Sequence, residues 1–381
     1  MDLGLTEAQQ MLKNSARAFL ETECPETYVR AMEEDERGFT PELWQQIAEQ
    51  GWLGLTFPEQ YGGVGLDFVD LSILLEEMGR ALLPGPYFST VVMAGLCLQE
   101  AGSDEQKQEF LLRIAEGGII MTLALTEPSA RWDAQGVQTV ARATEAGFTI
   151  NGTKLFVPNA HVSDYIIVVA RTGEGDRDIS LFIVGRDTPG IQQTLLKTIA
   201  SDRQSELVFN NVSVPSSALL GELNQGWAAI EKVLAWGAVG KCAEMVGGGQ
   251  QVLDMTVEYA KQRVQFGRPI GVSRRSNTTA PIWQPMSKAP GTSHTRRRGG
   301  CQRTCPLRTR LRWLKHGSAT PTAGFALWDT SATALSDSPK STACSYTLAG
   351  PKPQSLCSAI AICTLKLLPS PSVCESNALG L

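Results

Sequence analysis

The sequence changes character after Gly271, and that change limits what the chain can fold into. The first 271 residues hold 20 basic and 36 acidic side chains. From Val272 onward there are 14 basic ones and only three acidic ones, Asp329, Asp337 and Glu375. Cys24, Cys97 and Cys242 precede the change; Cys301, Cys305, Cys344, Cys357, Cys363 and Cys374 follow it. Ten of the 20 prolines fall between Pro281 and Pro371, in a stretch without helical periodicity. Proline removes a backbone donor and interrupts helices, and an unpatterned stretch buries too little apolar surface to offset its ordering entropy. Residues 272–381 are therefore expected to be disordered or irregular, with packed structure confined to 1–271.

A length of 381 residues suits two or three domains. No apolar run is long enough to cross a membrane as a helix. The opening Met1-Asp2-Leu3-Gly4-Leu5-Thr6-Glu7 has neither the basic nor the apolar region of a signal peptide, so none is expected. Scattered cysteines suit a reducing cytoplasm better than a disulfide framework. The acidic front portion argues against nucleic-acid binding there.

Hydrophobic spacing then divides the front portion. Residues 1–118 carry helical signals. Thr6 with Gln9 forms a capping box ahead of an apolar face of Met11, Leu12, Ala16, Phe19 and Leu20. Thr40-Pro41 opens a helix with the stripe Leu43, Trp44, Ile47 and Ala48, closed by Gly51. Further helices are expected over 67–82 and from Ser103 to Gly117-Gly118. Residues 119–225 switch to a period of two, with Val137, Thr139 and Ala141, then Phe148 and Ile150, then Tyr165 to Val169 and Ile179 to Val184. Asn151-Gly152 reads as a hairpin turn between two of these strands. Residues 226–266 return to helix, with Ile230, Val233, Leu234, Leu253, Val257 and Ala260 as core candidates. The expected fold class is α+β: a helical N-terminal domain (1–118), a β-barrel-like middle domain (119–225), and the first helix of a truncated C-terminal helical domain (226–271).

Several short motifs recur in one order along this framework. They are Gly51-Trp52-Leu53-Gly54-Leu55, Pro58-Glu59, Tyr61-Gly62-Gly63-Val64-Gly65, Leu125-Thr126-Glu127-Pro128, Asn151-Gly152-Thr153-Lys154-Leu155-Phe156, Val214-Pro215 with Leu220-Gly221, and Arg263 with Gln265 to Gly271. Together they resemble the acyl-CoA dehydrogenase family over essentially all of 1–271. Singly, Phe156 reads as core, Thr126-Glu127-Pro128 as a turn and Arg263 as a solvated charge; the ordered set is what points to the family.

The resemblance implies α,β-desaturation of an acyl-CoA thioester, with hydride transfer to FAD and proton abstraction by a carboxylate. Such chemistry needs a slot that aligns the reacting bond with flavin and base, and donors for the developing oxyanion. By resemblance, Leu123, Leu125 and Thr126 would line the isoalloxazine edge, and Phe156 would lie against the ring, where the family usually has Trp. Pro158 stands where the family usually has a flavin-bonding Thr, and Trp132 where it usually has Ser. Ala238 stands where some members have Arg. Arg263 and Phe266 would reach the FAD of a neighbouring subunit. No catalytic residue can be named, because the family's usual Glu lies beyond the change at Val272. The implied partners are an acyl-CoA substrate, electron-transfer flavoprotein or a similar acceptor, and sister subunits of a homo- or heterotetramer, with no nucleic acid and no membrane span; the implied location is cytoplasmic.

The tail itself reads as the family's own gene in another frame. Joining the last base of each codon to the first two of the next forces Ala at Trp283-Gln284 and Gly at Trp328-Asp329. With allowed choices elsewhere, Ile282 to Pro290 becomes MATDVEGA, and the stretch from Trp328 begins GHQRHGAIGFTKEHG, which resembles the missing helices in order and position. The activity of the chain as it stands is then expected to be impaired. The alternatives are an inactive pseudo-enzyme or non-catalytic subunit, or a protein whose basic tail (Arg296-Arg297-Arg298, Arg308, Arg310, Arg312) binds nucleic acid or anions. Cys301 and Cys305 lack a histidine at ligand spacing, so no metal is expected.

Overall fold

The computed structural model describes residues 4–272 apart from Phe266. The expectations for Phe266 and for the tail, including its cysteines and arginines, lie outside the described residues.

The front of the chain is helical: α1 (Glu7–Glu23), α2 (Glu26–Glu34), α3 (Pro41–Glu49), α4 (Phe68–Ala81), α5 (Leu96–Ala101) and α6 (Asp104–Ala115). Their starts are chemically marked. Thr6, Asp67 and Ser103 close reciprocal capping boxes, and Thr40 caps α3 ahead of Pro41. Gly51 follows α3 at φ +71°, as a helix stop requires. Met11 departs from expectation. It is 68% exposed, because α1 turns Ala16 and Leu20 inward and rests on α4 through ions, with Arg17 forked onto Glu77 at 2.9 Å and Lys13 2.7 Å from Glu76.

Strands follow, ten among the described residues: β1 (Met121–Ala124), β2 (Val140–Thr144), β3 (Gly147–Pro158), β4 (Tyr165–Arg171), β5 (Ile179–Gly185), β6 (Ile191–Leu196), β7 (Gln204–Pro215), β8 (Leu219–Leu220), and the small pair β9 (Val264–Gln265) and β10 (Arg268–Pro269). The first eight form one sheet in the order β6-β7-β3-β2-β4-β5-β8, with β1 beside β4. A single residue pair, Val140 with Arg171, joins β2 to β4. Residues from both halves then share one core: Ala141, Ile150, Leu207 and Phe209 with Ile166, Val168, Phe182 and Val184. That is the barrel-like arrangement expected. On β4 alternate residues serve two cores, with Ile166, Val168 and Ala170 inside the sheet structure and Ile167 and Val169 against the helices.

Two strand expectations need correction. Val137 and Thr139 are buried but precede β2, which begins at Val140. Asn151-Gly152 is not a turn: β3 runs straight through it, and the hairpin closes at Thr144 and Gly147 instead. The pairing of β3 with β7 passes from Ile150–Val212 to Gly152–Phe209, so the extra residue lies on β7. Asn211 takes that bulge at φ +49° and donates its N–H to Asn151 Oδ1 at 2.8 Å. A Cβ on Gly152 would meet Thr139 Cα at 2.7 Å, so the glycine is needed for close approach rather than for turning.

The C-terminal helical segment is α7 (Gly226–Gln262). It ends four residues earlier than expected, because Arg263 turns extended and Val264-Gln265 pair antiparallel with Arg268-Pro269. Ile230, Val233, Leu234 and Leu253 are buried, whereas Val257 and Ala260 are only half-buried. Where α7 crosses α4 the backbones touch: a Cβ on Gly247 would lie 1.7 Å from the Glu76 carbonyl, and one on Gly79 2.2 Å from that of Glu244.

Candidate functional site

β1 is the strand on which the site is built. Its four residues are buried, and it pairs in parallel with β4 along its whole length, from Met121–Tyr165 to Ala124–Val168. Behind it lies a buried π-helical segment, Phe88–Gly95. Such wide helices are rare and usually short. Thr90 on this segment donates its hydroxyl to the Met121 carbonyl at 3.0 Å and accepts the Met121 N–H at 3.3 Å. Asn159 donates to Ser89 Oγ at 3.1 Å, tying the end of β3 to the same segment.

Five of the expected residues converge here. Leu123 on β1, and Leu125 and Thr126 just past its end, are 4%, 8% and 6% exposed. They run beside the last residues of β3, where Leu155 N–H donates to the Thr126 carbonyl at 2.8 Å and Thr122 Oγ to the Pro158 carbonyl at 2.6 Å. Phe156 is half-buried at φ +54°. Between Lys154–Leu207 and Val157–Ser205 the β3 strand carries one residue more than β7, so Phe156 sits in a bulge. A left-handed backbone costs a side-chain-bearing residue roughly 1–2 kcal/mol, and strain of this kind concentrates where a side chain must be aimed. Trp132 is 9% exposed and shares a buried cluster with Leu123 and Leu125, and Ala238 is buried on α7.

Arg263 is placed elsewhere. It is exposed just past the end of the 37-residue α7, its N–H bonded to Tyr259 and its carbonyl to the Ile270 N–H at 2.8 Å. Among the described residues no hydrogen bond or ion pair joins it to the β1–β3 cluster. Phe266 lies outside the described residues.

The sequence motifs carried two further members whose part emerges only in three dimensions. Lys154 is wholly buried and lies 2.7 Å from Glu127, itself 3% exposed at the side chain. Lys154 also donates to the Leu125 carbonyl at 3.3 Å. Glu127 accepts the backbone N–H groups of Gln138 and Thr139 at 2.7 and 3.0 Å. Burial pushes the Lys154 ammonium down to about 8, against the opposing pull of Glu127. The legible signal was a lysine two steps of strand period from Ile150, on the inward face.

The donors and acceptors around Thr126 suit a planar, hydrogen-bonding cofactor. The carbonyls of Leu125 and Thr126 accept from Lys154 and the Leu155 N–H, and the Thr126 hydroxyl makes no hydrogen bond with another described residue. Phe156 is the next residue after Leu155, whose N–H donates to the Thr126 carbonyl. Among the described residues no three His, Cys, Asp or Glu side chains gather where a metal ion could be held, and no helix is long and apolar enough to cross a membrane.

Comparison with known proteins gives this site its context. The acyl-CoA dehydrogenase N-terminal, middle and C-terminal domain profiles match residues 6–118, 122–212 and 224–276. A 3-(aryl)acrylate reductase from Clostridium sporogenes is 35% identical over 274 residues, covering 70% of this chain and 72% of that protein. A short-chain-specific acyl-CoA dehydrogenase from Megasphaera elsdenii is 35% identical over 282 residues, covering 71% and 73%. The structure of butyryl-CoA dehydrogenase from the same organism superimposes with a TM-score of 0.79 at 27% identity, covering 91% of this chain and 94% of that one. With three successive domain profiles in order, relatives above 30% identity and the shared fold, the chain belongs to the acyl-CoA dehydrogenase family.

Proposed function

We propose that this chain derives from an enzyme that desaturates an acyl-CoA thioester between its α and β carbons, and that the chain as it stands is inactive or nearly so. FAD is the cofactor of the family. The residues present suit its isoalloxazine: the backbone at Leu123 and Leu125 and the Thr126 hydroxyl along one edge, and Phe156 against the ring. Bound there, FAD supplies a hydride acceptor. The chain's own residues would exclude water from the reacting bond and hold the ring edge. Pro158 offers the ring no donor, since its nitrogen carries no hydrogen; its carbonyl accepts from the Thr122 hydroxyl. Arg263, with Phe266, would serve the FAD of a neighbouring subunit in a homo- or heterotetramer. An acyl-CoA substrate, electron-transfer flavoprotein or a similar acceptor and a cytoplasmic setting complete the reading, together with the division at 118, 225 and 271.

The observation that carries the proposal is that β1, the 154–158 bulge and α7 are complete up to Gly271, while the family's usual catalytic carboxylate belongs to sequence that follows. Glu127, next to Thr126, cannot stand in as the base, because its oxygens accept from Lys154, Gln138 and Thr139. The frame change after Gly271 explains the loss. Resequencing the DNA around codons 270–275, and restoring one base, should give a yellow protein that reduces a dye with acyl-CoA. The present chain should take up added FAD only weakly, carry less than stoichiometric FAD as purified, and reduce no dye. Purified full-length chain carrying stoichiometric FAD and showing acyl-CoA-dependent dye reduction would refute the proposal.

A further inference from the structure

The Lys154–Glu127 pair is the most deeply buried ion pair among the described residues, at 0% and 3% side-chain exposure. A buried pair rarely adds net stability over an apolar pair of the same shape, so its presence calls for a reason in geometry. Its hydrogen bonds hold both ends of the loop that leaves β1. Lys154 reaches the carbonyl of Leu125 and the carboxylate of Glu127, two residues that flank Thr126. Glu127 fixes the N–H groups of Gln138 and Thr139, which anchors the far end of the loop leading out of β1. The next residue of the strand, Leu155, donates its N–H to the Thr126 carbonyl, and Phe156 follows in its left-handed bulge.

From this we infer that Lys154, paired with Glu127, is a positioning residue: it clamps the Leu125–Glu127 backbone to the β3 bulge, so that the Thr126 hydroxyl and the Phe156 ring are held at one fixed separation for the flavin. The inference rests on the flavin reading of this surface. An apolar residue at 154 would fill the space but could not reach the Leu125 carbonyl. The clamp acts on β3 through the side chain and on Thr126 through the backbone, so neither flavin-facing group has to be altered to loosen it.

The test uses the full chain and its variant Lys154→Met/Glu127→Gln, which removes both charges and roughly keeps the volume. Hydrogen exchange of the amides over residues 125–127 and 155–157 reads the clamp without flavin. FAD titration, followed by quenching of flavin fluorescence and by the visible absorption band of the bound ring, reads the position. The variant should exchange faster at those amides, bind FAD on the order of tenfold more weakly, and show a displaced visible band. Unchanged exchange, or unchanged affinity and band in a folded variant, overturns the inference. A parent chain that takes up no FAD even in large excess overturns the flavin reading itself, and the positioning role with it; the exchange data tell that failure from the first. Should the double variant fail to fold, Glu127→Gln alone, which is isosteric, undergoes the same comparison with the same decisive outcomes.

Discussion

Replacing Gly247 by alanine tests the crossing on which the position of α7 depends. The new Cβ would lie 1.7 Å from the Glu76 carbonyl oxygen, 2.8 Å from its carbon and 2.9 Å from Arg80 N. All three belong to the backbone of α4, so no rotamer change relieves the clash. Bringing that contact from 1.7 to 3.0 Å moves the helices apart by more than about 1 Å, and a gap of about 0.5–1 Å already forfeits roughly a quarter to a half of the dispersion attraction across the contact. Leu75 of α4, wholly buried and set against the Gly240 position of α7, is among the side chains that lose it. Overpacking of this kind costs about 1–3 kcal/mol, sometimes more. Alanine recovers up to about 1 kcal/mol through helix propensity. Because the clash is with backbone, the upper end applies, and a net loss of about 2 kcal/mol is expected. At Gly249, two residues on, a new Cβ would have no described atom within 4 Å. Gly249→Ala should therefore stabilise the protein by about 0.5–1 kcal/mol through propensity alone. Urea unfolding of the full chain, followed by tryptophan fluorescence, compares the two. The thermal midpoint of Gly247→Ala should fall by about 4–8 °C, and that of Gly249→Ala should rise. A Gly247→Ala protein as stable as its parent, or a Gly249→Ala protein that falls equally, would refute the close-contact reasoning.

Lys154→Met alone leaves Glu127 buried without its counter-charge, and urea unfolding should show a loss of about 3–5 kcal/mol, larger than for the paired double variant. The Lys154 group also makes stability depend on pH. Its folded value, about 8, lies below the ordinary 10.5, so the unfolded chain holds more protons between those values and stability from this group rises across that window by up to about 3 kcal/mol. Subtracting the Lys154→Met profile isolates the effect, and a flat difference from pH 8 to 10.5 would contradict the assigned burial. Thr90→Val removes the reciprocal bonds to Met121 and should cost about 1–3 kcal/mol in thermal or urea unfolding, since the Met121 N–H and carbonyl stay buried. Burial pushes the thiols of Cys24 and Cys97 up to about 12, so mass spectrometry after iodoacetamide at pH 8 should find both unmodified in native protein and alkylated only on unfolding.

Much of the fold was legible because its signals are local. The caps at Thr6, Thr40 and Ser103 depend on residues within three positions, and the apolar periods over 43–48 and 165–169 depend on one element at a time. Asn151-Gly152 misled for the converse reason. The same dipeptide serves a tight turn or a close strand approach, and only Thr139 and Asn211, distant in sequence, decide which. Met11 likewise sat in phase with a buried stripe, but the ions of Arg17 and Lys13 govern how α1 lies on α4.

The candidate site divides along the same line. The residue types along its edge, Leu123, Leu125, Thr126 and Phe156, were readable as family motifs, and so was the loss of coherent pattern after Gly271. That Lys154 pairs with Glu127, that Phe156 stands in a left-handed bulge, and that Gly79 and Gly247 let two helices touch emerged only from the tertiary structure. Order and periodicity are properties of the chain, so the sequence by itself determined the family, the succession of helix, sheet and helix, and the place where the pattern stops. Burial, charge pairing and backbone approach are properties of groups brought together from distant positions, and only the packed fold decided them.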